Sequence, residues 1–151
     1  MKKSSCEGCT RRAVLERLGL GTAGVLLLAG CPSSSGSNVE LGTTTTCGTS
    51  TCVDLADPAN APLTAVGGAL LVEVGSDTVM VIRTADAQVI AVSAICTHAG
   101  CTVGYNAAAS TLDCPCHGAR YDATGHVIRG PAVRDLRLYS TSLAQNVVTI
   151  S

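Results

Sequence analysis

From Cys47 onward the chain consists of short, mostly apolar stretches separated by Gly, Asp and Asn. Short apolar runs bounded by such turn residues predict β-strands. The predicted strands cover residues 69–74, 78–83, 89–95, 119–122, 126–129, 136–139 and 146–150. Gly75-Ser76-Asp77 between the first two predicts a hairpin. No segment of this part sustains a 3.6-residue apolar period, so the predicted class is all-β.

The first thirty residues follow a different pattern, that of a secretory signal peptide. Residues 1–17 carry five basic and two acidic side chains, a net charge of +3. Residues 18–30 form an uncharged, mostly apolar stretch of 13 residues that ends in small side chains. A positive flank, a short apolar core and small residues at the end are typical of a cleaved export signal. A buried core helix is the alternative, but four Gly in that stretch weaken any helix.

Two motifs refine this prediction. Thr10-Arg11-Arg12-Ala13-Val14-Leu15 resembles the twin-arginine motif of proteins that are exported folded, although Val14 and Glu16 depart from its usual pattern. Leu28-Ala29-Gly30-Cys31 resembles a bacterial lipobox, in which the Cys31 thiol would receive a diacylglyceryl group. Two acyl chains suffice for stable membrane anchoring. The prediction is an extracytoplasmic lipoprotein on the periplasmic side of a membrane; an ordinary cleavage site is the alternative.

Residues 31–46 are predicted to be a flexible linker, and residues 47–151 the folded domain. Ser, Thr and Gly dominate the linker, which offers little apolar surface to offset the entropy of ordering the chain. No apolar run in the sequence reaches the roughly 18 residues of a membrane-spanning helix.

Composition then limits the function. The chain has 151 residues with a formal net charge of −1, and after residue 30 it keeps five Arg, no Lys and nine acids, a net charge of −4. This balance argues against electrostatic binding of nucleic acids. Phe and Trp are absent, so the core is aliphatic, and a small aliphatic core benefits from cross-links. Nine Cys indicate a metal centre, disulfides, or both.

The candidate chemistry lies in two short Cys- and His-containing segments. Cys96-Thr97-His98-Ala99-Gly100-Cys101 is followed, after twelve residues, by Cys114-Pro115-Cys116-His117-Gly118. Gly in each segment provides the backbone freedom that a tight metal-binding loop needs. A zinc site is one alternative, but such sites usually separate their Cys pair from their His pair. A purely disulfide-bonded domain with incidental His is another, and His126, beside a predicted turn, is expected to be a surface residue.

These segments resemble the C-x-H-x-G-C and C-x-C-H-G motifs of Rieske iron–sulfur proteins, in the disulfide-containing branch related to the cytochrome bc subunits. The resemblance covers about residues 66–150 and implies an antiparallel β sandwich with a small cluster-binding subdomain of two loops. It implies one 2Fe–2S cluster, with Cys96 and Cys114 on one iron and His98 and His117 on the other. It also implies a disulfide between Cys101 and Cys116.

Further roles follow from the same resemblance. Gly130-Pro131 would start a proline-containing loop over the third side of the cluster. Tyr121 would donate a hydrogen bond to a ligand thiolate, a core tyrosine being the alternative. Ala119 stands where high-potential relatives have a Ser that donates to a sulfide, so a lower potential is expected. Ala99 replaces a shielding Leu of quinol-oxidising relatives, which puts quinol docking in doubt.

Cysteine counting completes the assignment. Cys6 and Cys9 leave with the signal peptide, so seven Cys remain. With Cys31 lipidated, two ligands and one loop disulfide, Cys47 and Cys52 are left as a second disulfide. Disulfides and a folded-export motif both fit an oxidising compartment outside the cytosol.

The predicted function is one-electron transfer by a membrane-tethered protein between a redox-protein donor and acceptor. Two thiolates and two neutral imidazoles leave the oxidised cluster uncharged, which raises its potential relative to four thiolates. The ring nitrogens that do not bind iron could couple proton to electron transfer. Alternatives are a subunit of a larger oxidoreductase of the quinol–cytochrome c or arsenite-oxidase type, and a redox or nitric oxide sensing module. A soluble ferredoxin of a ring-hydroxylating oxygenase is less favoured.

Overall fold

The computed structural model describes residues 39–151 of the chain. The signal peptide, Cys31 and the first part of the predicted linker lie outside these residues. The elements in chain order are β1 (Thr45–Cys47), β2 (Ser50–Asp54), a 3₁₀ helix (Pro58–Thr64), β3 (Ala69–Val74), β4 (Asp77–Ala85), β5 (Gln88–Ser93), β6 (Gly104–Asn106), β7 (Thr111–Asp113), β8 (Arg120–Asp122), β9 (Val127–Arg129), β10 (Leu138–Tyr139), β11 (Thr141–Ala144) and β12 (Val147–Ile150).

The strands form three antiparallel sheets of four strands each. Their orders are β1-β2-β12-β11, β10-β5-β4-β3 and β6-β7-β8-β9. The predicted all-β class and Rieske-type sandwich are therefore confirmed. The third sheet is the small subdomain that carries the two Cys- and His-containing loops.

The middle sheet is covered on both faces, which explains the nearly continuous apolar run of β4. Met80 and Ile82 face a core shared with the third sheet. Val79 and Val81 face a second core shared with the first sheet. All four side chains are fully buried. Because successive side chains of a strand point to opposite faces, one strand contributes to both cores.

The third sheet fixes the position of the two loops. The first loop lies between β5 and β6, and an isolated bridge pairs Ile95 with Thr102 at its base. The second loop joins β7 to β8, which pair antiparallel with Asp113 opposite Arg120. The segment of residues 130–137 between β9 and β10 runs back toward the first loop.

The folded domain begins earlier than the sequence predicts. Leu41 forms a parallel bridge with Leu71, and Gly42 donates a backbone hydrogen bond to the Leu71 carbonyl at 2.8 Å. Thr45–Cys47 forms strand β1, so the predicted linker overlaps the domain at residues 41–46. Backbone hydrogen bonds to β2 and β3 hold this Thr-rich segment, and side-chain composition does not reveal them.

The 3₁₀ helix was not predicted, and it anchors that first segment. Asn60 in this helix is fully buried. Its Nδ2 donates to the carbonyls of Thr43 and Asp54 at 3.0 and 2.9 Å, and its Oδ1 accepts from the Thr43 amide at 2.9 Å. A buried amide with all these partners satisfied specifies one path for the chain. None of the helices in residues 39–151 is long and apolar enough to cross a membrane.

Candidate metal centre

The two loops adopt the same backbone turn. In the first, the Gly100 amide donates to the Cys96 carbonyl at 2.9 Å; in the second, the Gly118 amide donates to the Cys114 carbonyl at 3.1 Å. Both glycines have positive φ, +74° and +73°. This left-handed conformation costs glycine little and other residues more. The sequence spacing Cys-x₃-Gly in both segments is therefore the local signal for the turn.

Two cysteines face the interior between these turns. Cys96 and Cys114 are buried and, among the described residues, are the cysteines that form no disulfide. They belong to the same apolar core as Leu112 and Tyr121. Free thiols at this depth are available for metal but screened from oxidants in solution.

The remaining cysteine of each loop joins the two loops together. Cys101 and Cys116 form a disulfide with a Cα–Cα distance of 6.5 Å. Cys101 occupies the sixth position of the first turn, whereas Cys116 occupies the third position of the second. The two cysteines of this disulfide therefore occupy different positions in their turns, and so do the two histidines.

His98 and His117 are both exposed at the tip of the subdomain. Their ring centroids lie 5.0 Å apart, with the ring planes at 83°. The two loops thus provide two buried free thiols and two neighbouring exposed imidazoles.

A buried tyrosine connects one thiol to the neighbouring segment. The Tyr121 hydroxyl lies 3.3 Å from Cys96 Sγ and 3.0 Å from Thr97 Oγ1, and it accepts a hydrogen bond from the Thr97 amide at 3.2 Å. Thr97 Oγ1 in turn donates to the Arg134 carbonyl at 2.6 Å. Tyr121 therefore makes the thiol contact expected of it, and it is also a fully buried core residue.

Thr97 and the Arg134 carbonyl were missed by the sequence reasoning. Thr97 is the variable residue of the C-x-H motif. Every residue has a backbone carbonyl, so the sequence does not indicate which one accepts a hydrogen bond. Together they fasten the segment after Pro131 to the first loop.

The environment of the two thiols differs electrostatically. Burial, the largest single influence, raises the pKa of Cys96, but hydrogen bonds from Tyr121, from Cys114 and from the His98 and Ala99 amides together lower the pKa below its ordinary value. For Cys114, burial and the hydrogen bond it donates to Cys96 raise the pKa above its ordinary value. The first thiol to ionise is Cys96, and backbone amides stabilise its charge.

The residues expected to tune the site have definite positions. Ala119 is 1% exposed, and its carbonyl accepts from the Cys114 amide at 2.8 Å. Pro131 and Ala99 are exposed. Val133, two residues beyond Pro131, is 90% exposed, which is unusual for an aliphatic side chain.

The other predicted cysteine pair and His126 lie outside this centre. Cys47 and Cys52 form a disulfide between β1 and β2. His126 is a surface residue, with Nδ1 2.7 Å from Asp135 Oδ2. The hydrogen bond and charge of Asp135 raise the pKa of His126.

The donor set fits a 2Fe–2S cluster with mixed ligands. Iron–sulfur clusters need thiolates, and two unpaired thiols are buried together here. Structural zinc sites are closed by four ligands; here two of the four candidate ligands are exposed imidazoles, each with a nitrogen to spare. The site defines a [2Fe–2S] protein of the cysteine and histidine class.

Comparisons with known proteins agree. The family model described as Rieske [2Fe-2S] domain matches residues 59–140. The chain belongs to this family, and membership implies one 2Fe–2S cluster.

Relatives of known description fall in the same family. The chain is 42% identical over 78 residues to the cytochrome b6-f complex iron-sulfur subunit of Synechococcus elongatus, covering 51% of this chain and 44% of that protein. It is 50% identical over 60 residues to the subunit of the same description from Synechococcus sp. WH7803, covering 40% of this chain and 34% of that protein. The matched part thus spans less than half the length of these relatives.

Solved structures support the fold. The cyanobacterial plasma membrane Rieske protein PetC3 from Synechocystis PCC 6803 superposes with a TM-score of 0.52 at 38% identity, covering 55% of this chain and 85% of that one. The ferredoxin of carbazole 1,9a-dioxygenase from Nocardioides aromaticivorans IC177 gives 0.51 at 27% identity, covering 58% and 86%.

Proposed function

We propose that this protein transfers single electrons between redox proteins through a Rieske cluster. Cys96 and Cys114 would hold one iron as thiolates, and His98 and His117 would hold the other through a ring nitrogen. When bound, the cluster accepts and releases one electron at a potential in the range of about −150 to +300 mV. The observation that carries the proposal is that two loops joined by a disulfide hold two buried free thiols and two neighbouring exposed imidazoles.

The buried and exposed residues of the site have different roles in the proposed function. The Tyr121 hydroxyl lies 3.3 Å from Cys96 Sγ, in position to donate to its thiolate, and the Cys101–Cys116 disulfide keeps the loops together. The exposed rings of His98 and His117 give a partner protein a short contact to the site. No enclosed substrate pocket is needed for this function.

Tethering outside the cytoplasm is part of the same proposal. Its support is the export pattern of residues 1–30, the lipobox that ends at Cys31, and two disulfides within the described residues. Metabolic labelling with a radioactive fatty acid tests the anchor: the native chain should be labelled and a Cys31→Ser variant should not. Label retained in C31S would contradict lipidation at this residue.

A second candidate is a Rieske subunit of a larger oxidoreductase. Its support is the description of the curated relatives as subunits of the cytochrome b6-f complex. Affinity purification from gently solubilised membranes separates the two: stoichiometric co-purification of a cytochrome or a molybdenum enzyme would favour the subunit.

Electron paramagnetic resonance with a redox titration tests the central proposal. The reduced protein should give the spectrum of a mixed thiolate–imidazole cluster, and its potential should fall as pH rises, because oxidation favours loss of the ring protons. A spectrum of all-thiolate ligation would refute the His98 and His117 assignment. A double variant, His98→Cys with His117→Cys, supplies four thiolates and is the protein in which that spectrum is the expected one.

A further inference from the structure

The two ligand loops and the proline segment contain no carboxylate. These three segments, residues 94–103, 114–119 and 130–134, are called the tip surface below. None of their residues is Asp or Glu, and Arg134 is the one charged side chain among them. Its exposed residues are otherwise small or apolar, with Val133 at 90% exposure. An exposed apolar residue of this kind, next to a functional site, marks a contact surface.

Two arginines bracket the proline segment of this surface. Arg129 ends β9 immediately before Gly130, and Arg134 follows Val133. Both are exposed, and neither has a carboxylate within 4.0 Å among the described residues. Arg134 also lines an open groove with Thr97, Cys96, Asp135 and Arg137, which places its side chain beside the first loop.

The side chains of the other three arginines of the domain form ion pairs or hydrogen bonds within it. Arg120 is paired with Asp113 at 2.6 Å, and Arg137 with Asp77 at 3.2 Å. Arg83 donates to the carbonyls of Leu63 and Asp86. Among the described residues, Arg129 and Arg134 are therefore the arginines whose guanidinium groups form neither an ion pair nor a hydrogen bond.

Negative charge is distributed elsewhere. The nine acids of residues 39–151 all lie outside the tip surface. Asp135, the acid nearest to Arg134 in sequence, is held by His126 and by the Val127 amide at 2.8 Å. A domain with a net charge of −4 thus presents a tip that is apolar at its centre and positive along one side.

We propose that Arg129 and Arg134 select a partner redox protein whose docking face is apolar at its centre and acidic along one side. Val133 supplies the apolar contact, and the two guanidinium groups pair with the partner's carboxylates and orient it over the histidines. This inference rests on the proposed electron-transfer function and adds the kind of partner. Complementary charges at the edge of an apolar contact govern the association rate and the relative orientation of the two proteins. A protein is favoured over an anionic membrane because the rest of the domain is acidic and would be repelled by such a surface.

Small charged oxidants test the local charge first. Oxidation of the reduced, cluster-loaded protein by hexacyanoferrate(III), with charge −3, is followed by stopped flow as ionic strength increases. The rate constant should fall with salt, although the net charge of the domain predicts a rise. With tris(phenanthroline)cobalt(III), a cation, the rate should increase with salt. The opposite pair of slopes would overturn the proposal.

Single charge removals locate the effect. Arg134→Gln and Arg129→Gln should each slow the anionic oxidant by about fivefold at 10 mM ionic strength, for a charge about 10 Å from the ion, and the difference should vanish at high salt. Gln88→Glu at the exposed start of β5 is the matched control, since it changes net charge equally away from the tip surface. Equal slowing in Q88E would show that net charge alone acts.

Binding gives a readout independent of electron transfer. Dissociation constants are measured for plastocyanin, which has an acidic surface, for cytochrome c, which has a basic one, and for phosphatidylglycerol vesicles. Tighter binding of the acidic protein that is weakened in R129Q, R134Q and Val133→Ser supports the proposal. Preference for cytochrome c, or binding only to the vesicles, overturns it. Absence of a Rieske signal would instead defeat the underlying function.

Discussion

Removing one hydroxyl separates the redox role of Tyr121 from its structural role. Tyr121→Phe deletes the oxygen that lies 3.3 Å from Cys96 Sγ and accepts from the Thr97 amide. A hydrogen bond donated to a ligand sulfur stabilises the more negative, reduced state, so its loss should lower the midpoint potential. One-electron couples change by 59 mV for each tenfold change in equilibrium constant, which is about 1.4 kcal/mol. A difference of about 1 kcal/mol between the two redox states therefore predicts a fall of about 40 mV.

The same variant should also lose stability. The Thr97 amide loses its acceptor, and an unsatisfied partly buried donor costs about 1–3 kcal/mol. Tyr139→Phe is the matched control: Tyr139 is also buried, and its hydroxyl donates to Asp77 at 2.8 Å, far along the chain from the ligand loops. It should lower the free energy of unfolding and leave the potential unchanged.

Protein-film voltammetry and urea unfolding measure the two quantities on the same preparations. An unchanged or higher potential in Y121F would refute the thiolate hydrogen bond. Equal shifts of potential in both variants would mean that loosening of the domain, rather than the lost hydrogen bond, changes the potential.

Three further predictions concern the loops and the surface. Ala119→Ser should raise the midpoint potential by adding a buried donor beside the site, whereas Ala91→Ser, equally buried in the other core, should not; a lower or equal potential in A119S would disprove the sulfide-donor argument. Gly118→Ala should lower the free energy of unfolding by about 1 kcal/mol through its positive φ alone, since nothing lies within 4 Å of the added Cβ; no loss on denaturant unfolding would contradict this. Asp135 raises the pKa of His126, so their pairing stabilises the fold below the ordinary histidine pKa, and this stabilisation is lost as pH rises through the raised value. The difference in free energy of unfolding between the native protein and His126→Gln should therefore shrink from pH 6 to pH 9. A constant difference would be evidence against the pair.

The ligand loops were predictable because their chemistry depends directly on which types of residue they contain. Cys and His at fixed spacing, with Gly at the fifth position of each turn, specify both donors and backbone conformation. The strands of the middle sheet were predictable because burial on both faces requires apolar residues throughout. Thr111–Asp113 was missed because three residues are too short to show a strand pattern, although it pairs with its neighbours in the chain, β6 and β8. Ser50–Asp54 is a polar strand held by pairing with β12, which is distant in the chain. Such pairing is a tertiary property that local sequence does not encode.

Hydrogen bonds to backbone atoms are a second feature that could not be predicted from the sequence. Thr97 and the Arg134 carbonyl join two segments that are 37 residues apart, and the carbonyl has no sequence signature. The Asn60 cluster is similar, since one buried side chain anchors a segment that composition alone marks as a linker.

The position of the thiols links the redox centre to the stability of the whole domain. Cys96 and Cys114 pack in the same core as Met80 and Ile82, which belong to the central strand of the middle sheet. This core contains no Phe or Trp, so its aliphatic side chains supply limited apolar area. The loops would therefore be poorly restrained by packing alone, and the Cys101–Cys116 disulfide supplies the missing restraint between them. The imidazoles are exposed at the surface, whereas the thiols are fixed in the core, so contact with the exposed side of the site can leave the buried side undisturbed.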